Sequence, residues 1–97
     1  MNLGQNKIEL LRNYFKTRPV FRAYLFGSYA NGKADSKSDI DILVDLDHSE
    51  RIGLKFIQMQ IELQDLLNTK VDLVSSKGLS KHIKPFIDSE MELIYAR

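Results

Sequence analysis

The sequence predicts an α/β (α+β) fold, a mixed β-sheet with helices packed mainly on one face. Three observations predict it. Residues 39–46 alternate, with Ile40, Ile42, Val44 and Leu46 on one side and Asp39, Asp41, Leu43 and Asp45 on the other, which is the period of a strand covered on one face. Ile52, Phe56, Met59, Leu63 and Leu66 step by four and three, with Ile57 and Leu67 widening the stripe, so an amphipathic helix of about four turns is expected at ~3.6 residues per turn. Segments of the two kinds interleave along the chain, and such chains pack helices as a layer on a sheet.

The elements follow in order. Ile8, Leu11 and Phe15 share one helical face of Lys7 to Phe15, with Leu10 and Tyr14 beside it, and Pro19 closes that helix. Val20 to Phe26 is rich in aromatic and branched residues and reads as a strand. Gly27-Ser28 follows at once and Gly32 soon after, so a tight turn and one short helical turn are expected. After the strand at 39–46 and the long helix, Lys70 to Val74 is a short strand with Asp72 opposite Val71 and Leu73. Ile83, Phe86 and Ile87 suggest a last helix broken or started by Pro85, and Met91 to Tyr95 reads either as a final strand or as that helix's tail.

Composition bounds the possibilities. The 97 residues are expected to form a single domain, 1–97, of ordinary globular makeup, 43% apolar and 28% charged. There is no cysteine, which excludes disulfides, thiolate zinc sites and cysteine nucleophiles. The longest apolar runs are four residues, Ala23 to Phe26 and Leu93 to Ala96, against the ~20 that a membrane helix needs. No secretory signal is legible at Met1 to Ile8, so a cytoplasmic location without membrane association is expected. The net charge of +1 divides into +5 over residues 1–38 and −4 over residues 39–97. No dense basic run offers a footprint for nucleic acid, and strong direct binding to it is not expected.

The chemistry concentrates in Gly27-Ser28, ten residues, then Asp39-Ile40-Asp41. Side chains two apart on a strand point the same way, so Asp39 and Asp41 project together. Two adjacent carboxylates repel unless a cation lies between them, and magnesium binds through one or two carboxylates plus substrate phosphate oxygens. Gly27 at a strand end permits close backbone approach, and Ser28 at the head of a helical turn offers a hydroxyl and amide groups to an anion. Together they point to metal-assisted phosphoryl or nucleotidyl transfer. With each residue near ~6% usage the bare pattern arises in about one random chain of this length in a thousand. Asp45 shares the carboxylate face but lies ~13 Å beyond Asp41, too far for the same ion. His48 is a poor choice for a hard cation, which prefers oxygen ligands, and His82, near Lys81 and Lys84, reads as a surface residue rather than a catalytic base. Tyr29 either stacks on a base or packs.

This spacing resembles the signature of the nucleotidyltransferase superfamily related to DNA polymerase beta, and the run GSYANGKADSKSDIDILVDL resembles its minimal nucleotidyltransferase (MNT) domain. Lys70 to Val74 is similar to the family strand that bears a third carboxylate, here Asp72, and Pro85 to Tyr95 is similar to the C-terminal segment. The resemblance implies a polymerase beta-like fold and transfer of AMP from ATP to a hydroxyl. It implies Asp39, Asp41 and Asp72 as catalytic and metal-binding residues around two Mg2+ ions, with Gly27 and Ser28 on the β- and γ-phosphates. It also implies a HEPN-domain toxin as partner and acceptor, the chain acting as antitoxin. Many members carry Arg before the second glycine, where this chain has Asn31; either Lys33 or Lys37 takes over its contact with triphosphate, or activity is weaker. Two alternatives stand beside this reading: a non-catalytic module that neutralises a partner by occlusion, and the nucleotide-binding subunit of a small-molecule nucleotidyltransferase, whose acceptor pocket another subunit would supply.

Overall fold

A computed structural model describes residues 3–32, 35, 37–78 and 91–97. The order of elements is α1 (Gln5–Phe15), β1 (Val20–Phe26), α2 (Ser28–Asn31), β2 (Ile40–Leu46), α3 (Gly53–Leu67), β3 (Val71–Ser75), a 3-10 turn at Ser76–Gly78, and β4 (Glu92–Ala96). The four strands form one sheet in the order β3-β2-β1-β4. The β1–β2 and β1–β4 pairs are antiparallel, whereas β2–β3 is parallel, so the sheet is mixed. The parallel pair has α3 as its crossover, since parallel neighbours cannot be joined by a hairpin.

The core lies on the face of the sheet that Ile40, Ile42, Val44 and Leu46 present. Leu11 and Phe15 of α1 and Met59, Leu63 and Leu67 of α3 pack there with Ala23, Leu25, Val71 and Leu73. Both long helices therefore cover the same face. Phe15 is fully buried and meets the rings of Tyr14, at 5.6 Å, and Tyr95, at 5.8 Å. Its large apolar surface anchors α1 between α3 and β4.

Several boundaries and faces depart from the sequence reading. The first helix begins at Gln5, a turn-half ahead of Lys7. Strand β2 begins at Ile40 rather than Asp39, because the Ile40 N–H donating to the Lys70 carbonyl (3.0 Å) opens the ladder with β3. Leu43, on the carboxylate side, is also buried, outside the main core cluster, where the Ser76–Gly78 turn lies against β2. Ile57 does not widen the core stripe of α3. It stands ~200° around the helix from Met59 and is 57% exposed. Of the two readings for residues 91–95, the strand is correct: Glu92–Ala96 pairs with β1 along the edge of the sheet. The helix expected around Ile83, Phe86 and Ile87, with Pro85 and His82, lies outside the described residues.

Candidate active site

Three chain features build the site. Strand β1 runs into Gly27, whose φ of +71° is one that side-chain-bearing residues rarely adopt. The Gly27 carbonyl accepts the Ala30 N–H at 3.1 Å, which starts α2 immediately. On the neighbouring strand Asp41 is the register partner of Phe26, so its side chain lies beside the turn. A Cβ at Gly27 would collide with Asp41 Oδ2 and lie 3.2 Å from its Cγ. The absence of a side chain at Gly27 is what makes room for the Asp41 carboxylate.

The third feature is the parallel pairing of β2 and β3, which makes Asp41 and Asp72 register partners. Paired residues on neighbouring strands lie ~4.8 Å apart and point to the same face. Strand β3 is held in that register from α3: the Val71 N–H donates to Gln64 Oε1 at 3.2 Å, and the left-handed Asn68 (φ 50°) ends the helix just ahead. Burial, then the charges of Asp72 and Asp39, then a hydrogen bond with Asp72, push the Asp41 carboxyl from 3.8 up to about 6. Half-buried and facing like charges, this carboxyl keeps its proton to a higher pH than an ordinary aspartate does.

Asp39 sits just ahead of β2. It is near enough to raise Asp41 electrostatically, and its own Oδ2 lies 3.6 Å from Lys70 Nζ. Among the described residues no three acidic or histidine side chains close into a ready-made metal cage. The arrangement is a tight Asp41–Asp72 pair with Asp39 beside it, engaged by Lys70. Its donor set nevertheless fits a hard divalent cation: the ligands are all carboxylate oxygens, and the repulsion that raises Asp41 is what a bound cation relieves.

The other singled-out residues fall as follows. Ser28 is the first residue of α2 and Asn31 the last. Lys37 is exposed, with its N–H donating to Asp35 Oδ1 at 2.8 Å, and Lys33 lies outside the described residues. Tyr29 is 8% exposed and belongs to the core cluster, so it packs. Asp45 faces Arg22 across the β1–β2 ladder, 3.7 Å from its Nε, and His48 is exposed in the turn that follows β2. Sequence reasoning missed Lys70 and Gln64. Lys70 carried a signal, since it immediately precedes the strand of the third carboxylate; Gln64 looked like any polar residue on a helix.

The site is thus a carboxylate pair on adjacent parallel strands, set against a strand-ending glycine and a short helical turn. The family model for polymerase beta nucleotidyltransferases matches residues 8–97, and the chain belongs to that family. It is similar to the protein adenylyltransferase MntA of Thermococcus cleftensis, with 41% identity over 73 residues, which cover 75% of this chain and 70% of that protein. A solved structure assigned as a minimal nucleotidyltransferase superposes with a TM-score of 0.77 at 27% identity, covering 95% of each chain. A toxin–antitoxin crystal structure with AMP-PNP superposes with a TM-score of 0.74 at 28% identity, covering all of this chain (100%) and 75% of the other. The chain is thus a nucleotidyltransferase of the minimal, MntA-like kind.

Proposed function

We propose that this enzyme transfers AMP from ATP to a hydroxyl side chain of a partner HEPN-type toxin, and so acts as its antitoxin in the cytoplasm. The observation that carries the reading is the Asp41–Asp72 pair packed against Gly27. The 41% identity to a named protein adenylyltransferase supports the reaction. The likeness to a toxin–antitoxin complex holding an ATP analogue supports both nucleotide and partner.

In the reaction, the acceptor oxygen attacks the α-phosphorus of ATP, the bond to the β-phosphate oxygen breaks, and pyrophosphate leaves. Asp72 accepts the hydroxyl proton. Gly27 and Ser28 hold the β- and γ-phosphates, where the left-handed turn lets backbone approach them, and Lys33 and Lys37 supply positive charge that Asn31 does not. Asp39, Asp41 and Asp72 would hold Mg2+, as two ions, whose chemistry is to activate the attacking oxygen and neutralise the leaving pyrophosphate. Burial of Asp41 lowers the local dielectric and strengthens each charge interaction in the site.

Asn31 favours a second reading, in which the chain only occludes its partner. One experiment separates the two. The purified protein is incubated with α-labelled ATP, Mg2+ and the co-expressed partner, and label on the partner is followed by mass. One or more AMP units are expected, lost with Asp41→Ala. A partner that is never modified yet is silenced equally by the Asp41→Ala variant establishes occlusion instead.

A further inference from the structure

Helix α3 is apolar on two opposite faces. Met59, Leu63 and Leu67 turn into the core, while Leu54, Ile57 and Ile61 stand 81%, 57% and 55% exposed. Their spacing of three and four keeps them in one row on the helix surface. Single exposed apolar residues need no explanation, but a continuous apolar row along a helix marks a contact surface. Arg51 lies just ahead of the helix and Asp65 near its end, both exposed. Neither takes part in an ion pair among the described residues.

We propose that this face pairs with the same face of a second copy of the chain, with the two α3 helices antiparallel about a two-fold axis passing between Ile57 and Gln58. A two-fold contact is self-complementary, because residues equally far from the axis on its two sides meet. Here Leu54 meets Ile61 of the second copy, and Ile61 meets its Leu54, with Ile57 beside the axis. Arg51, two residues ahead of the helix, then lies at the end of the pair where Asp65 of the second copy lies. The like charge at that end, Glu50, is already held by Lys55 at 3.4 Å. An apolar centre with opposite charges meeting at both ends is the layout of an interface core and its rim.

That charge order selects the occupant. An unrelated partner would have to bring an acidic group to Arg51 and a basic group to Asp65 on one apolar surface, whereas a second copy carries both, Asp65 near the end of its α3 and Arg51 just ahead of the start. The helix is ~22 Å long at 1.5 Å per residue, so a single helix pair buries less than the ~800 Å² per partner of a stable complex. The dimer is therefore weak and concentration-dependent. Because α3 covers the core face of the sheet, pairing leaves Asp41 and Asp72 open on the other face in both copies.

Sedimentation velocity from about 1 μM to about 1 mM tests this. The wild type is expected to pass from monomer to dimer over that range. Ile57→Asp weakens the dimer about tenfold or more, with circular dichroism confirming a native fold at this exposed position. Arg51→Glu and Asp65→Arg each weaken it about threefold, and the double variant restores it, since opposite charges meet again. A wild type that stays monomeric throughout overturns the proposal. So does a dimer indifferent to Ile57→Asp, or a charge defect that the double variant does not repair. Hydrogen exchange that slows in α3 only when a different protein is bound assigns the face to that protein and overturns it as well.

Discussion

The Asp41 carboxylate occupies the space that a side chain at Gly27 would fill. The residue read as a phosphate-cradle glycine thus also seats the carboxylate read as a metal ligand. Gly27→Ala carries two penalties. A residue with a Cβ resists φ of +71° by about 1 kcal/mol, and the Cβ must displace Asp41. The expected outcome is a fall of about 2 kcal/mol in stability by urea unfolding and a loss of about 100-fold or more in AMP transfer. An Asp41→Ala background makes the steric part disappear, so the stability cost of Gly27→Ala should shrink there. Equal costs in both backgrounds would show that the two residues do not share the space.

Burial of Asp41, with the Asp72 charge facing it, makes stability depend on pH. Native Asp41 titrates at about 6 against 3.8 unfolded, so between those values the native state binds more protons than the unfolded chain. Stability without metal therefore falls as pH rises from about 4 to 6 and levels off above. With solvent screening of this half-exposed group, the loss is on the order of 1 kcal/mol. Asp72→Asn removes the facing charge but not the burial, so it should reduce this slope in part and raise the metal-free melting temperature at pH 7.5 while abolishing transfer. Thermal melts in EDTA from pH 4 to 8 check the sign. Parallel curves for wild type and Asp72→Asn would remove the pair from the account.

Most of the fold was legible because its strands and helices carry clean periods. The alternation of 39–46 announced β2, one residue longer than the strand formed, and the lone Asp72 between Val71 and Leu73 announced a partly covered β3. The sequence could not say that these two strands pair in parallel and in register, because pairing is decided by the crossover that α3 makes, not by either strand. For the same reason the Asp41–Asp72 contact was an expectation from resemblance until the register placed it. Ile57 was misplaced because a wide helical stripe was drawn through an apolar residue on the far face. That error arises whenever a helix is apolar on two sides.

The two faces of α-helical apolar residues separate in stability. Phe15 is fully buried against two rings, so Phe15→Ala should cost ~3–5 kcal/mol through lost burial and a residual cavity. Leu54 is 81% exposed, so Leu54→Ala should stay within about 0.5 kcal/mol at dilute protein concentration. Chemical denaturation of both variants at low micromolar concentration checks the contrast. A Leu54→Ala cost comparable to that of Phe15→Ala would mean that α3 packs with its other face inward.

Lys70 supplies the last prediction. Its Nζ, 3.6 Å from Asp39 Oδ2, forms the one ion pair that any of the three carboxylates makes among the described residues. In the absence of metal, that contact offsets part of the repulsion around Asp41. When a divalent cation binds, Lys70 becomes a competitor, because a positive charge beside Asp39 weakens its attraction for another cation. Lys70→Met should therefore lower the metal-free melting temperature slightly and lower the Mg2+ concentration needed for half-maximal transfer. Both partners are substantially exposed, at 69% and 39%, so the interaction is worth ~0.2–1 kcal/mol and the shift in Mg2+ requirement about twofold to fivefold. Titrating Mg2+ at saturating ATP isolates this effect from any change in nucleotide binding. A higher Mg2+ requirement in Lys70→Met would reverse the assignment, making Lys70 a residue that orders Asp39 for the cation.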